Sequence, residues 1–404
     1  MLRILHTADW HLGQTLRGYS RDHEHAAVLE ELIELVAAHQ PNALLVAGDI
    51  FDSPNPSAES QRLFYRTLVQ FHRACPTMTT VLTAGNHDAA SRLEAPREIF
   101  ASIGVRVVGN VRRQEGATLA APHLIPIASP QGEVLAHVLA LSYPTSSCLP
   151  SIPTPEGQSR LIHSLQHLYT DLVEQTRPQW QNKPLILTGH LHVSGAQQSE
   201  GAERGILIGG ENAFPASLFP SEASYVALGH LHKPQRAGAD HIRYSGSILP
   251  LSASEIDYKH GVTLVEIDNA QLRTQHLPLT RPVSFHRIPD KGFASVNEIP
   301  GLFDAVKTAT GQRPFAQVRL RREGLTAVFR EQLAQEAEKA GLRLVDTRIE
   351  DLEPTSNTPI ETRTIADFDP AHFFQLAYQR SYGQPPTDAH LTVFQLAHEI
   401  AQGQ

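Results

Sequence analysis

The chain opens with Leu2-Arg3-Ile4-Leu5-His6-Thr7-Ala8-Asp9-Trp10-His11, an apolar strand-like run ending in two side chains able to hold a metal ion. The same pattern recurs four times. Ala43–Ala47 runs into Gly48-Asp49-Ile50-Phe51-Asp52, and Thr79–Ala84 into Gly85-Asn86-His87-Asp88. Pro184–Thr188 runs into Gly189-His190-Leu191-His192, and Ser224–Leu228 into Gly229-His230-Leu231-His232. Between the first three runs lie two helical patterns. Arg21–His39 carries Ala27, Leu29, Leu32, Ile33, Leu35 and Val36 as its buried stripe, and Glu59–Arg73 is the second. A β-α-β-α-β order predicts a sheet with helices packed on its faces. In open α/β sheets the carboxyl ends of the strands gather into one crevice, so five separate loops are expected to converge.

Further strands are expected at Val134–Ser142, Ile242–Ser245 and Val262–Ile267. The runs at Ser224–Leu228, Ile242–Ser245 and Val262–Ile267 leave no room for long helices, which predicts a more antiparallel sheet there. The architecture expected for residues 1–281 is therefore an α/β sandwich of two sheets. A boundary falls near Leu279–Pro282. Residues 282–349 read as a smaller α+β domain: strand Ser284–Ile288, helix Val296–Ala309, strand Ala316–Arg321, helix Thr326–Ala340 and strand Leu342–Thr347. Residues 350–404 read as a linker, Glu350–Thr364, rich in Pro, Thr and Asp, followed by helices Asp369–Tyr382 and Asp388–Gln402. The apolar faces of those helices (Phe373, Phe374, Leu376, Ala377; then Leu391, Val393, Phe394, Leu396, Ile400) need something to pack against, either their own domain or a partner.

A length of 404 residues predicts two or three domains, and 41% hydrophobic residues suffice for a sizeable core. No apolar run reaches the roughly 18 residues of a membrane span, and the first residues lack the basic-then-apolar pattern of a signal peptide. Cys75 and Cys148 form no CxxC pair, so free thiols in a reducing cytoplasm are expected. A net charge of −8 argues against a general nucleic-acid footprint. Metal ions could supply the positive charge locally, and 22 histidines make a metal site worth seeking.

In extended chain, residues i and i+2 point the same way. Asp9 and His11 can thus face one cavity, as can His230 and His232. Glycines before Asp49, Asn86, His190 and His230 permit a sharp exit from the strand. Asp9, His11, Asp49, Asn86, His190, His230 and His232 make seven candidate ligands, too many for one open site. Two metals sharing a bridging carboxylate would use them, and a pair roughly 3.5–4 Å apart is a known clamp for in-line displacement at phosphorus. Oxygen and imidazole donors without thiols suit manganese, iron or zinc, with manganese favoured in a cytoplasm. His192 mirrors His232 but would exceed the count. His6, inside the first strand, is expected in the core or just behind the ligands.

The ordered set DxH, GDxxD, GNHD, GH and GHxH resembles the signature of the calcineurin-like metallophosphoesterases. The strings ADWHLGQ (8–14), VAGDIFD (46–52), AGNHD (84–88), NAFPAS (212–217), YVALGHLHKPQ (225–235) and YSGSILPLSASE (244–255) are similar to the double-strand-break repair nuclease branch. That likeness is strong over about residues 1–260 and rests on domain order beyond. It implies one metal on Asp9, His11, Asp49 and His232, and a second on Asn86, His190, His230 and the shared Asp49. It implies that His87 contacts the scissile phosphate without binding metal, with Asp88 available to orient it. Asp52 occupies the second acidic place, where a direct phosphate contact is not expected. Arg17 and Arg21 become candidates for DNA backbone contact. The resemblance further implies two divalent ions, Mn²⁺ first and Mg²⁺, Fe²⁺ or Zn²⁺ as alternatives. It implies 3′→5′ exonuclease action on duplex DNA and endonuclease action on single strands. It also implies a coiled-coil ATPase partner, a capping role for 282–349, a clamping role for the terminal helices, and two copies of the chain in a heterotetramer. The competing expectations are a small-molecule phosphodiesterase or phosphatase, for which the C-terminal additions would be superfluous, and a scaffold without metals, which would be expected to lack ligands.

Overall fold

A computed structural model describes residues 1–114, 117–199, 213–269, 271–306, 313–325, 327–350 and 370–402. Two six-stranded sheets form the centre. The first runs, edge to edge, Gln271–Pro278, Gly261–Asp268, Leu2–Thr7, Ala43–Ala47, Thr79–Thr83, Val105–Val108. The second runs Gln235–Ala237, Ala239–Tyr244, Ala223–Gly229, Leu185–His190, Val134–Leu139, Leu124–Ala128. The four strands from Leu2–Thr7 to Val105–Val108 are parallel, as are the four from Ala239–Tyr244 to Val134–Leu139. All five candidate loops leave parallel strands at their carboxyl ends, which is why they meet.

Three apolar layers hold the sandwich. Between the sheets lie Ile4, Leu45, Val81, Val138, Ile186 and Tyr225. Helices Asp22–His39 and Ala58–Ala74 cover the outer face of the first sheet through Leu32, Phe64, Leu68 and Phe71. Helix Arg160–Trp180 covers the second sheet through Leu165, Leu168, Leu172 and Val173. This helix is not among those expected from the sequence, although its apolar residues recur at the helical i, i+3, i+7, i+8 spacing.

The antiparallel sheet expected around residues 224–267 is corrected by the structure. Ala223–Gly229 and Ala239–Tyr244 pair in parallel, because the short strand Gln235–Ala237 carries the chain back along the outer edge. Gly261–Asp268 leaves that sheet and pairs antiparallel with Leu2–Thr7 in the other. The segment 245–260 thus crosses from one sheet to the other over the metal-bearing end.

In the smaller unit, strands Phe285–Ile288, Phe315–Leu320 and Arg343–Ile349 form an all-parallel sheet. Helices Ile299–Asp304 and Ala327–Lys339 intervene, so each return must be a crossover. One face packs Val318, Leu320 and Leu333 together. On the other, Phe285, Phe315 and Val345 join Leu16, Ala253 and Val283 in one cluster, so the unit is seated on the segment that crosses between the sheets. The linker expected at Glu350–Thr364 lies outside the described residues after Glu350. Helices Pro370–Tyr382 and Asp388–Gln402 pair with each other, with Phe374 stacked on Phe394.

His6 fits its expected core place and ties the sheets together. Its Nε2 lies 3.1 Å from the Leu228 carbonyl and its Nδ1 2.9 Å from the Tyr225 hydroxyl. Since a carbonyl only accepts, Nε2 carries the hydrogen and Nδ1 accepts from tyrosine. Burial pushes His6 down from its ordinary 6.5 to about 3, and burial, reinforced by the Arg21 charge, does the same to His25. Between those pH values the unfolded chain takes up protons that the fold refuses, so stability is full above about 6.5 and is lost as pH falls toward 3. In metal-free buffer, the thermal midpoint should fall as pH is lowered from 6.5 to 4.5. In His6→Gln, whose amide can satisfy both partners, that fall should be shallower. Circular dichroism melts with equal slopes for both chains would show that His6 is not held neutral.

Candidate metal centre

The first two loops are laced together before any side chain is considered. Asp9 N donates to Gly48 O, His11 N to Asp49 O and Leu12 N to Ile50 O, all at 2.9–3.0 Å. This lacing holds side-chain-bearing residues in left-handed backbone, with φ of 53° at Asp9, 47° at His11 and 49° at Asp49; His230 stands at 101°. Such conformations cost on the order of 1–3 kcal/mol each and persist where the surroundings overdetermine them. Close packing demands glycine nearby: a Cβ on Gly85 would collide with the Asp49 side chain, and one on Gly48 with the His190 ring.

All seven candidate ligands come together. Asp49 Oδ2 lies 3.2 Å from His190 Nε2 and 3.6 Å from His11 Nε2. Asn86 Oδ1 lies 3.1 Å from His190 Nε2. The His230 amide donates to Asp9 Oδ1 at 2.9 Å. Ring centroids are 5.3 Å apart for His11 and His232, and 5.5 Å for His190 and His230. Three groups have ligand atoms within 4.8 Å of one another: Asp9 with His11 and His232, Asp9 with Asp49 and His190, and His11 with Asp52 and His87.

The imidazoles are oriented for ligation. His190 Nδ1 donates to the Ala47 carbonyl at 2.8 Å, His11 Nδ1 to Asp52 Oδ1 at 3.2 Å and His232 Nδ1 to Glu255 Oε1 at 2.7 Å. When neutral, each ring then carries its lone pair on Nε2. The Nε2 atoms of His11 and His230 are buried with no hydrogen-bond partner in the structure, a costly arrangement that a cation would relieve. The donor set fits two divalent ions on this count.

Electrostatics agree. Burial pushes the Asp9 carboxyl up, with Asp49 adding to the rise and the histidines opposing it. At Asp49 burial acts the same way, but His190, His11 and His87 outweigh it and hold the carboxyl well below its usual range. Burial would lower His190, yet Asp49 raises it to about 9, so a proton on His190 occupies the place a cation would take. Burial and the neighbouring His190 charge hold His230 well below its ordinary value, leaving it neutral and ready to ligate.

Residues 2–234 match the family model of the calcineurin-like phosphoesterases. The SbcD component of the nuclease SbcCD from Rhodobacter capsulatus is 42% identical over 373 residues, covering 90% of this chain and 92% of that protein. The chain belongs to the SbcD family of calcineurin-like phosphoesterases. The SbcD component from Escherichia coli K12 is 35% identical over 70% of each chain, and that from Bacillus subtilis 168 is 36% identical over 66% of each. The Rhodobacter likeness extends well past the residues 1–260 on which the sequence motifs rest. As a family member the chain is a metal-dependent phosphoesterase.

One expected role is corrected within this family site, the DNA backbone contact of Arg21. The Asp88 carboxylate accepts from the amides of Ile50, Phe51 and Gly85 at 2.9–3.1 Å, tying the second and third loops together. Burial and the Asp49 charge raise it to about 6 against those donors. The Asp52 carbonyl accepts from His87 Nδ1 at 2.8 Å. Arg21 is fully buried, paired with Glu24 through both carboxylate oxygens and donating to the Pro250 carbonyl, so it is removed from any DNA backbone. Arg17 is exposed and donates to the Val345 carbonyl. His192 Nδ1 lies 3.1 Å from Gln198 Nε2, and His192 joins none of the three groups.

Sequence reasoning missed the supporting role of two carboxylates. Asp52 holds His11 through its side chain and His87 through its carbonyl. Glu255, fully buried, holds His232 and also accepts from Leu251 N at 2.8 Å. Its only sequence signal is an acid among apolar and small residues at the end of YSGSILPLSASE. Outer carboxylates of this kind set ligand orientation and basicity. Glu255→Gln should leave the fold intact and weaken Mn²⁺ affinity about 10- to 100-fold, read by electron paramagnetic resonance titration of free Mn²⁺. An unchanged titration would show that Glu255 serves only the turn at 251–255.

Proposed function

We propose that this chain is a Mn²⁺-dependent DNA nuclease of DNA repair and recombination. It acts as a 3′→5′ exonuclease on duplex DNA and as an endonuclease on single strands, with an SbcC-like coiled-coil ATPase in the cytoplasm. One observation carries the metal chemistry: buried Asp9 and Asp49 stand among histidines whose Nδ1 atoms are committed to protein acceptors. In this reading Asp9, His11, Asp49 and His232 hold one ion, and Asp49, Asn86, His190 and His230 the other. Bound divalent cations supply an acidified nucleophile and neutralise charge building on the phosphoryl oxygens.

The chain's own residues do the rest. His87 is assigned to the scissile phosphate, contacting it and handing a proton to the leaving oxygen; its hydrogen bond to the Asp52 carbonyl supports a fixed ring. Asp88 is a positioning residue, since its three amide contacts tie the Asp49 and Asn86 loops to each other. Residues 1–281 are the nuclease domain and 282–349 the capping domain. Residues 350–404 are a linker and partner-binding helices. Phe373, Leu376, Tyr382 and Val393 on those helices are more than half exposed, which supports a partner there. Two copies of the chain within a heterotetramer complete the proposed assembly.

The direct test is to incubate the purified chain, with and without the ATPase, with Mn²⁺ and linear duplex DNA. Hydrolysis of bis-p-nitrophenyl phosphate but of no DNA under any condition would identify a small-molecule phosphodiesterase instead. His87→Leu should lose at least 100-fold in DNA cleavage while binding the same number of Mn²⁺ ions. Loss of metal in that variant would make His87 a ligand. Asp49→Ala should empty both sites together by metal analysis; one ion retained per chain would exclude a bridging role.

A further inference from the structure

A second feature lies at the metal-bearing end of the sandwich, where the outer strands of the two sheets come side by side. A cleft of about 460 Å³ opens there, lined by Lys233, Arg243, Tyr258 and Lys259 among others. Its size falls within the roughly 300–1,000 Å³ of clefts that hold nucleotide-sized groups. The three cations reach it from different places. Lys233 directly follows the candidate ligand His232, Arg243 sits on the strand Ala239–Tyr244, and Lys259 ends the crossing segment that carries Glu255. The one acid in the lining, Asp257, is paired with Arg287 of the smaller unit at 2.9 Å. In a chain of net charge −8, three lysine and arginine side chains converging on one cleft, with the nearby acid neutralised from outside, form a local positive field. An aromatic ring stands among them: the Lys233 ammonium lies 5.6 Å from the centre of the Tyr258 ring.

We propose that this cleft binds the backbone of single-stranded DNA next to the metal centre, with Lys233, Arg243 and Lys259 facing phosphates and Tyr258 giving a platform for an unpaired base. Cations with an interleaved aromatic ring are the means by which proteins hold single strands without reading sequence, whereas a paired base has no face to offer a tyrosine. The inference rests on the nuclease reading and adds to it a place for the unpaired strand.

Binding of a fluorescent thymidine oligonucleotide and of a short duplex is measured by anisotropy in Mn²⁺, on a His87→Leu background that prevents cleavage. The double variant Arg243→Glu/Lys259→Glu should bind the oligonucleotide at least tenfold more weakly. Its slope of log affinity against log salt should fall by about 1.4, two contacts at about 0.7 each. Tyr258→Ala should weaken the oligonucleotide about tenfold and leave the duplex unchanged. With His87 restored, hydrolysis of bis-p-nitrophenyl phosphate should be the same as in the parent chain for every variant. If the double variant loses that hydrolysis through misfolding, Lys259→Gln alone should still lower the salt slope, by about 0.7. Unchanged oligonucleotide affinity and slope would overturn the proposal. Equal weakening of duplex and oligonucleotide would overturn the single-strand assignment, and loss of ATPase binding alone would make the cleft a protein surface. A parent chain that hydrolyses the small diester but binds neither DNA would sink the nuclease reading itself.

Discussion

The Asp49 carboxylate accepts from the His87 amide at 2.8 Å while standing 3.2 Å from His190 Nε2 and 3.6 Å from His11 Nε2, almost out of reach of water. A buried charge of this kind is tolerable only when paired and hydrogen-bonded. Pairing it draws residues from four loops to one point. His190 must come from the second sheet, so the two sheets have to pack with their parallel strands' carboxyl ends together. Gly48 and Gly85 must lack side chains so that the loops can close around it. The left-handed backbone at Asp9, His11 and Asp49 is the local strain of that closure, held by the ladder between the first two loops.

Around this point the molecule arranges two rings of polar support. The inner ring presents carboxylates, an amide and imidazole Nε2 atoms. The outer ring, made of the Ala47 carbonyl, Asp52, Asp88 and Glu255, fixes which nitrogen of His190, His11 and His232 faces inward and how the loops lie. Glu255 belongs to the segment that crosses between the sheets, and the smaller unit rests on that same segment through Phe285, Phe315 and Val345. Arg21 completes the support from behind. It lies 5.7 Å from the Phe315 ring centre and donates to Pro250, one residue before the amide that holds Glu255.

Charge distribution follows the same logic. The acidic whole would repel a polyanion, so positive charge has to be concentrated where a phosphodiester meets the protein. Divalent ions at the centre would do this, and Lys233, Arg243 and Lys259 do it in the adjoining cleft. Asp257, which would oppose them, is held by an arginine from the smaller unit.

The amino-acid sequence by itself determined the five loops and all seven candidate ligands, because each sits directly after an apolar strand and strand ends in a parallel sheet share one side. It also determined the alternation of strands and helices in the first hundred residues and His6 as a core residue. Tertiary structure alone decided which sheet each strand joins. The strand Gly261–Asp268 follows its predecessor closely in sequence but pairs with the first strand, since a chain crossing over the metal-bearing end can reach either sheet. Tertiary structure alone also decided what stands behind the ligands. Asp52, Asp88, Glu255 and Arg21 are charged residues in loops, turns and a helix cap, and nothing in their local pattern separates an exposed charge from a buried one. Their roles come from partners as far as 38 residues away for Asp88 and 229 for Arg21, and such pairings exist only once the chain has folded.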